Sequence, residues 1–346
     1  MKILIDGMGG DYAPEEIVKG AIKAAKEIDE KILIIGRESQ IKLYLDKYKY
    51  RGKNIEIVNA SEVITNDEHP AMAIKRKKDS SIVKGMNMLK EGEADVFISA
   101  GSTGALLSGA LLLLGRIKGI KRPAIAAWFP KIGQNDQTLL LDCGANADCK
   151  PEYLYQFGMM GSIFVHCIKG IDKPVVKLLN VGAEDAKGDE LHKTAFDMLR
   201  DSKANFCGNI EGRDIVFGGA DVVVADGFSG NVFLKSSEGV ALCLMDMIKS
   251  KLTEGVAAKA GAVLAYGKLK DIKSEFDYAD AGGAPILGVK GAVLKIHGNS
   301  KEKEVYWAIK KAIPYVQKDV TGMIAQAIMD DEINQESAEE IIRNEM

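Results

Sequence analysis

Short runs of aliphatic and β-branched residues alternate along the whole chain with longer stretches in which apolar residues recur at helical spacing. The short runs are almost continuously apolar, which indicates strands buried on both faces, as in a parallel sheet covered by helices. The pattern predicts an α/β fold, a mostly parallel sheet flanked by helices in an α/β/α sandwich. The predicted strands cover residues 2–6, 32–35, 55–58, 95–99, 124–129, 138–142, 175–180 and 221–225.

Two helical stretches are marked by their ends or their length. Pro14 stands where a first helical residue belongs, and Glu15 and Glu16 complement the dipole of the first turn, so we expect a helix that runs to about Ile28. The apolar tract 105–114 is half of the ~20 residues that cross a bilayer, and this predicts a buried helix.

The length of 346 residues is compatible with one large domain over residues 1–330. We expect two closely joined lobes within it, with a boundary near residue 150. The acidic tail, residues 331–346, is predicted to be a peripheral helix or a frayed end.

Composition and charge exclude several classes of protein. With 47% hydrophobic and 27% charged residues the chain is typical of a soluble globular protein, and a net charge of −3 favours neither nucleic acid nor a generally basic membrane-binding surface. Five scattered cysteines lack the spacing of a zinc site or a disulfide framework, which suits reduced thiols in a cytosol. The first ten residues lack the pattern of a signal peptide, so no export is expected.

Three glycine-bearing turns each follow an apolar run and open into a helix-like segment: GMGGDYAP after Asp6, AGSTG after Ser99 and DGFSGN after Ala225. Glycine lets backbone N–H groups come close to a ligand, and a following helix adds its positive dipole end, so the turns predict a phosphate site. Polar residues at predicted strand ends are expected to converge on one crevice; the alternative is that each one caps the next helix. They are Asp6, Ser99, Asp142, Asn180 and Asp226.

Several common catalytic patterns are missing. The chain has no G-x-G-x-x-G, P-loop, G-x-S-x-G or H-E-x-x-H string, which disfavours nicotinamide enzymes, nucleoside triphosphatases, serine hydrolases and metal sites. His166 is expected to be a hydrogen-bonded interior histidine, whereas His297 is the histidine most suited to approach a ligand. Cys143 is expected to be structural rather than a nucleophile.

Cations form the remaining polar signal. Lys187 lies on a predicted loop from which its amine could enter the crevice. Two basic clusters, Arg76–Lys78 and the segment 116–122, are either solvated faces or surfaces that dock an acidic protein or a phosphate-bearing arm. Apolar residues at helical spacing between residues 250 and 267 predict a core or subunit-interface helix, or a tip that enters a lipid surface. These residues are Leu252, Val256, Ala260 and Val263.

The strings DGMGGDYAP, ISAGSTGA, GRIKGIKRPAIA, LLLDCGAN, LLNVGAEDAKGDE, VVVADGFSGN and the GNS that follows His297 closely resemble the PlsX family of acyl-acyl carrier protein:phosphate acyltransferases. The resemblance implies transfer of a fatty acyl group from acyl carrier protein to inorganic phosphate for phospholipid synthesis. It also implies a fold similar to phosphotransacetylases and isocitrate-type dehydrogenases, a homodimer, no metal and no cofactor. Loose membrane association and hand-off of the product to a membrane glycerol-3-phosphate acyltransferase are further expectations.

The site expected from the turns and the resemblance has two catalytic residues, Lys187 and Asn231, with no covalent enzyme intermediate. The residues expected to bind phosphate or substrate are Asp6, Gly9, Gly10, Gly101, Ser102, Thr103, Gly104, Asp142, Asn146, Asp226, Gly227, Gly230 and His297. The alternatives are a phosphotransacetylase that acts on short acyl groups of coenzyme A and a non-catalytic membrane-recruited scaffold that binds acyl carrier protein. A dehydrogenase is an alternative on fold analogy alone.

Overall fold

A computed structural model of the chain describes residues 1–134, 136–275 and 282–331, without the side chains of 256, 257 and 269–275. The described residues form two compact units. The first unit contains residues 1–127, 159–173 and 282–331. The second contains residues 128–134, 136–158 and 174–275.

The strands and helices alternate in chain order. The first part comprises β1 (Lys2–Asp6), α1 (Glu15–Ala25), β2 (Lys31–Gly36), α2 (Glu38–Lys47), β3 (Ile55–Asn59), α3 (Pro70–Arg76), α4 (Ser81–Lys90), β4 (Val96–Ser99), α5 (Thr103–Gly109) with a π-helical turn (Ala110–Leu114), and β5 (Ala124–Pro130). The second part comprises β6 (Gln137–Leu141), α6 (Pro151–Lys169), β7 (Val175–Leu179), α7 (Glu190–Arg200), β8 (Asn205–Ile210), α8 (Gly212–Ile215), β9 (Val222–Val224), α9 (Gly227–Leu252), α10 (Gly255–Glu275), β10 (Ala284–Leu287), β11 (Ala292–Lys295) and α11 (Glu302–Gln317).

The sheet of the first unit has the strand order β3-β2-β1-β4-β11-β10-β5. Its pairs are parallel except at β10, which is antiparallel to both neighbours. Ile3, Leu4 and Ile5 of β1 are completely buried, which explains why this strand is apolar at consecutive positions.

The sheet of the second unit has the strand order β6-β9-β7-β8, and all of its pairs are parallel. Val222, Val223 and Val224 form the buried strand β9 between β6 and β7. Helices α9 and α10 pack against each other and are joined by the short turn at Thr253 and Glu254. The loops that precede α7 and α9 follow the neighbouring strands β7 and β9. Because parallel strands end at the same edge of a sheet, these two loops lie at the same edge.

All eight predicted strands are present, and their ends lie within two residues of the prediction. The strands β8, β10 and β11 were not predicted. The helix predicted from Pro14 is α1, but Pro14 is its N-cap and the helix ends at Ala25, after which turn-type hydrogen bonds continue to Ile28. The tract 105–114 is helical as predicted but buried on one face only, since Leu112 is 53% exposed.

In the described ranges, no helix combines the length and the apolarity that crossing a membrane requires. The predicted acidic tail lies almost entirely outside the described residues, which end at residue 331.

Candidate functional site

In the first unit, three loops follow the neighbouring parallel strands β1, β4 and β11. The backbone N–H of Asp11 donates to the carbonyl oxygen of Gly298 over 2.7 Å, which joins the loop after β1 to the loop after β11. The amine of Lys295 donates to the carbonyl oxygen of Ala100 over 3.4 Å, which joins β11 to the loop after β4. Two of the three predicted glycine turns are therefore side by side.

Asp6 is a buried side chain that connects the loop after β1 with the end of β4. Its carboxylate is 1% exposed and accepts hydrogen bonds from Ser99 Oγ at 2.7 Å and from the backbone N–H of Met8 at 3.0 Å. Burial raises the pKa of Asp6, while hydrogen bonds from Ser81, Ser99 and the N–H groups of Met8 and Gly9 act in the opposite direction. These contacts give Asp6 the role of organising the turn.

The glycines of the first turn are required by close packing. A Cβ at position 9 would lie 2.5 Å from the backbone nitrogen of Gly101. Gly10 has φ +100°, a conformation that side chains disfavour, and a Cβ there would lie 2.9 Å from the carbonyl oxygen of Gly298. Any larger residue would push the loops apart.

The three loops that follow β1, β4 and β11 are called the first cluster. Several of their backbone N–H groups are not hydrogen-bonded within the described part of the chain. Within residues 1–134, 136–275 and 282–331, the N–H groups of Gly10, Ser102, Thr103 and Gly104 have no hydrogen-bond partner. The hydroxyl of Ser102 accepts from the N–H of Ala105 at 3.4 Å, so it caps α5 and leaves the earlier amides unpaired. Amides in such a turn are suited to an anion.

In the second unit, a buried carboxylate organises the loop after β6. Asp142 accepts from the backbone N–H groups of Ala145 and Asn146 at 3.1 and 2.8 Å, and from Asn146 Nδ2 at 2.9 Å. The loop also receives α9, since the N–H of Gly227 donates to the carbonyl oxygen of Asn146 over 2.9 Å. A Cβ at Gly230 would lie 2.0 Å from the carbonyl oxygen of Asp142. Only glycine allows this approach.

The third predicted turn has its amides already paired. Asp226 is the N-cap of α9, and its Oδ1 accepts from the N–H groups of Phe228 and Ser229 at 3.1 and 2.9 Å. Of the two alternatives for polar residues at strand ends, Asp226 therefore follows the second and caps the next helix. Asn231 follows one turn later; its side chain is exposed, makes no hydrogen bond within the described part of the chain, and lies 3.4 Å from a Cβ built at Gly144.

Lys187 projects from the loop between β7 and α7. Its backbone carbonyl oxygen accepts from Asn180 Nδ2 at 3.1 Å, and Asn209 Nδ2 donates to the carbonyl oxygen of Glu184 over 2.9 Å. These two amides fix the loop backbone. The lysine side chain is 51% exposed, and its amine is 3.9 Å from the Glu184 carboxylate, at the outer limit of an ion pair.

His192, which was not predicted from the sequence, connects two helix N-termini of the second unit. Its Nδ1 lies 2.6 Å from the carboxylate of Asp189, the N-cap of α7, and its Nε2 lies 3.9 Å from the carboxylate of Asp226. The hydrogen bond with His192 lowers the pKa of Asp189. No local sequence pattern indicates this contact, because His192 and Asp226 are far apart in the chain. Ser81, which contacts Asp6, was missed for the same reason.

The remaining predictions for single residues have mixed outcomes. His166 is satisfied as predicted, since its Nδ1 lies 3.0 Å from the carbonyl oxygen of Ile171. Cys143 is buried, with its thiol 3.3 Å from the carbonyl oxygen of Leu140, as expected for a structural cysteine. His297 is exposed, and its carbonyl oxygen accepts from the N–H of Ser300 in the first cluster.

The predicted apolar stripe between residues 250 and 267 is not one helix. Leu252 is the last residue of α9, whereas Ala260 and Val263 belong to α10, because the chain turns at Thr253 and Glu254. Val256 lies in α10, but its side chain is outside the described set. The predicted stripe is therefore divided between two helices rather than carried by one.

The predicted site residues thus belong to two clusters. Asp6, the glycines of the first two turns, Ser102, Thr103 and His297 are in the first unit; Asp142, Asn146, Lys187, Asp226 and Asn231, with Gly227 and Gly230, are in the second. Each cluster lies at the carboxyl ends of its own strands. The prediction that all of these residues share one crevice stays a prediction.

Comparison with known proteins identifies the family. A family model described as "Fatty acid synthesis protein" matches residues 1–323. The phosphate acyltransferase of Thermoanaerobacterium thermosaccharolyticum is 48% identical over 328 residues, which cover 95% of this chain and 97% of that protein.

Solved structures share the fold at much lower identity. A phosphotransacetylase from Streptococcus pyogenes has a TM-score of 0.59 at 18% identity and covers 95% of this chain and 94% of its own. A 4-hydroxythreonine-4-phosphate dehydrogenase from Klebsiella pneumoniae has a TM-score of 0.53 at 12% identity, with 91% and 99% covered. These matches confirm the predicted fold class. The extent and the level of the sequence match show that the chain belongs to the fatty acid synthesis protein family, the PlsX family of phosphate acyltransferases.

Proposed function

We propose that the protein transfers a fatty acyl group from acyl carrier protein to inorganic phosphate and releases an acyl phosphate. The observation that carries this proposal is the family match over residues 1–323, together with 48% identity to a phosphate acyltransferase across nearly the full length of both chains. The open backbone donors in the first cluster support an anionic substrate.

The step requires no covalent enzyme intermediate. A phosphate oxygen attacks the thioester carbonyl carbon, and the carbonyl oxygen becomes an oxyanion. When the oxyanion collapses, the C–S bond breaks, the carrier thiolate leaves, and the acyl carbon remains bonded to phosphate. Phosphate is already an anion at neutral pH, and a thiol of pKa ~8.5 is an adequate leaving group. The main catalytic demand is therefore stabilisation of developing negative charge.

Each cluster contains groups suited to part of this demand. We assign the unpaired N–H groups of Ser102, Thr103 and Gly104 to phosphate oxygens. Lys187 supplies a positive charge that holds phosphate and offsets the oxyanion, and its half-exposed amine is weakly paired. Asn231 offers an amide donor to the carbonyl oxygen. Asp6 and Asp142 position the loops rather than touch the anion, because both are buried and hydrogen-bonded.

The helical hairpin of α9 and α10 supports an additional proposal, that the protein is a homodimer with peripheral membrane contact. Several of its large apolar side chains are exposed, and Leu264 is 90% exposed. The exposed set is Phe228, Val232, Val240, Leu242, Leu244, Met247, Val263, Leu264 and Tyr266. Such a surface is typical of an interface with a second subunit or with lipid.

The experiment that tests the reaction supplies palmitoyl-acyl carrier protein with phosphate. We expect free carrier thiol and a product that reacts with hydroxylamine, both dependent on phosphate. Acetyl-coenzyme A is supplied in a parallel reaction. Turnover of acetyl-coenzyme A alone would identify a short-chain phosphotransacetylase, and binding of the carrier without product would identify a scaffold.

A further inference from the structure

Five cations lie on chain segments that neighbour the first cluster, after β2, in α2, in α3 and before α4. They are Arg37, Lys42, Lys75, Arg76 and Lys78, and we call them the basic patch. All five side chains are exposed. Only one part of this set, the Arg76–Lys78 run, stood out in the sequence, because Arg37 and Lys42 are distant in the chain.

Strand order places part of the basic patch beside the turn after β1. Strands β2 and β3 are the next two strands on that side of β1, and all three run in the same direction. The ends of β2 and β3 therefore lie about 5 and 10 Å along the edge from the end of β1. They border a cavity of about 620 Å³ lined by Arg37, Glu38, Ser39, Lys42, Asn59 and Ser61.

The remaining cations reach the same region through α3 and the start of α4. Pro70, at the beginning of α3, contacts the turn at Gly104, where a Cβ would lie 2.7 Å from the proline ring. Lys78 precedes Ser81, whose hydroxyl is hydrogen-bonded to Asp6. The carboxylate of Asp79 accepts from the N–H of Ser61, which lines the cavity, over 2.9 Å.

Among the described residues, the cations of the basic patch have no carboxylate partner, unlike the lysines beside them. Lys77 pairs with Glu68 at 2.7 Å, and Lys84 pairs with Asp79 at 3.1 Å. Within the described ranges, no carboxylate oxygen lies within 4.0 Å of any of the five cations. Arg37 makes one hydrogen bond, to the carbonyl oxygen of Ser61. Their charge is thus available to an external anion.

Exposed apolar side chains lie among these charges. Met72 on α3 is 43% exposed and Leu43 on α2 is 62% exposed. Methionine and arginine are enriched in protein interfaces, and a mixture of apolar and cationic groups fits a folded protein better than it fits a free ion.

The second basic cluster lies at the opposite edge of the same sheet. Helix α5 and its π-helical turn lead away from the end of β4 for 12 residues, about 18 Å at 1.5 Å per residue. Residues 116–122 then precede β5, which runs in the same direction as β4. A partner bound there would lie at the amino ends of the strands, separated by the length of a strand from the first cluster at their carboxyl ends.

We propose that the basic patch docks the acidic body of the acyl carrier protein. The inference rests on the proposed function, which requires a carrier to present its acyl thioester to the loops at the carboxyl edge. Complementary charge speeds such an encounter and sets its orientation. The cluster at residues 116–122 has no part in this docking.

The test compares two triple variants with the same change in charge. The patch variant carries Arg37→Gln, Arg76→Gln and Lys78→Gln; the control carries Lys118→Gln, Lys121→Gln and Lys290→Gln at the opposite edge. Binding of holo-acyl carrier protein is measured by fluorescence anisotropy, and acyl phosphate formation gives kcat and KM. We expect the patch variant to raise Kd and KM for the carrier about tenfold with kcat retained, and the control to match the parental enzyme.

Other outcomes separate the docking proposal from the proposed function. If the parental enzyme makes no acyl phosphate from the carrier, the proposed function fails. If it does, equal carrier binding by the parental enzyme and the patch variant overturns the docking site. An equal loss in both triple variants also overturns it, because the effect is then one of net charge. Loss of binding to phosphatidylglycerol vesicles in the patch variant, with carrier binding unchanged, would identify a lipid surface instead.

Discussion

At the scale of single residues, the two buried carboxylates and the two proposed catalytic side chains differ in their surroundings. Asp6 and Asp142 are buried and surrounded by hydrogen-bond donors, so they stabilise loop conformations. Lys187 and Asn231 are exposed and little used by the protein itself. Exposed polar groups that make few contacts with the rest of the described chain are those best placed to bind a substrate.

Replacement of Lys187 by alanine is expected to lower kcat for acyl phosphate formation by about 10²–10³, because a charge that stabilises the oxyanion is lost. Asn231→Ala is expected to have an effect of the same order. Both variants should keep the parental melting temperature, since neither side chain packs in the core. Lys193→Ala, which removes an exposed lysine of α7, is the control. Parental kcat in both variants would remove these residues from the mechanism.

Alkylation of the cysteines tests whether a thiol takes part in the reaction. Burial, followed in effect by the charges of Asp142 and Asp226, raises the pKa of Cys149 to about 11, so at pH 8 only about one molecule in 10³ carries its thiolate. Iodoacetamide at pH 8 should modify the exposed Cys207 and Cys243 and spare Cys149. The reaction at Cys149 should speed up about tenfold per pH unit below its pKa.

Mass spectrometry gives the number of adducts, and the acyl phosphate assay gives the activity that remains. We expect two adducts and full activity. Loss of activity that follows modification of Cys143 or Cys149 would contradict a mechanism without a covalent enzyme intermediate.

Residues that belong to a local pattern can be predicted from the sequence, whereas residues that act through contacts distant in the chain cannot. Asp6 and Asp226 were predicted because each follows an apolar run and precedes a glycine turn. His192 and Ser81 have no such neighbours; their roles come from Asp226 and Asp6, which lie 34 and 75 positions away along the chain. The sequence left two roles for Asp226, contact with a ligand and capping of the next helix. It could not decide between them, because a cap and a ligand site have the same sequence pattern.

At the scale of elements, α9 begins under a constraint that its later turns do not share. Gly230 faces the carbonyl oxygen of Asp142 at the first turns, whereas a Cβ at Gly239, farther along the same helix, would meet no atom within 4 Å. Close packing therefore requires glycine at position 230 but not at position 239 of the same helix.

Gly230→Ala is expected to lower the free energy of unfolding by about 2–3 kcal/mol and to reduce activity strongly, because the added methyl group displaces α9 from the loop of Asp142. Gly239→Ala is expected to raise stability by about 0.5–1 kcal/mol through better helix propensity, with activity unchanged. Urea denaturation and the acyl phosphate assay provide the measurements. Equal stability of the two variants would mean that α9 adapts freely at its start.

The strands that sequence reasoning missed show the limit of apolar periodicity. Strand β8 is NFCGNI, in which polar residues interrupt the apolar run, and β10 is APIL, which contains a proline. The eight predicted strands are apolar at most positions, and that signal is sufficient without knowledge of their neighbours.

At the scale of the whole molecule, the hairpin of α9 and α10 is the feature on which the proposed dimer and membrane contact rest. Leu264→Asp places a charge on its most exposed apolar side chain. If the hairpin meets lipid, the variant should lose cosedimentation with vesicles of phosphatidylglycerol and phosphatidylethanolamine while its reaction in solution is unchanged. Phe217→Asp, at an exposed apolar residue of the β8–β9 connection, should bind vesicles like the parental enzyme.

Light scattering of the same variants measures the oligomeric state. A Leu264→Asp protein that is monomeric, beside a dimeric parental enzyme, would assign the hairpin to the subunit interface. A variant that keeps both its dimer and its vesicle binding would contradict both roles.

Helix α9 has 26 residues and is about 39 Å long. Its first turn lies on the loop that carries Asp142, and its last turn leads into α10. The helix therefore fixes the distance between these two ends. If a bilayer or a second copy contacts the last turn of α9, that contact lies roughly four helix diameters from the loop of Asp142, and an acyl phosphate formed beside that loop, as proposed, has this distance to cross before it reaches the contact.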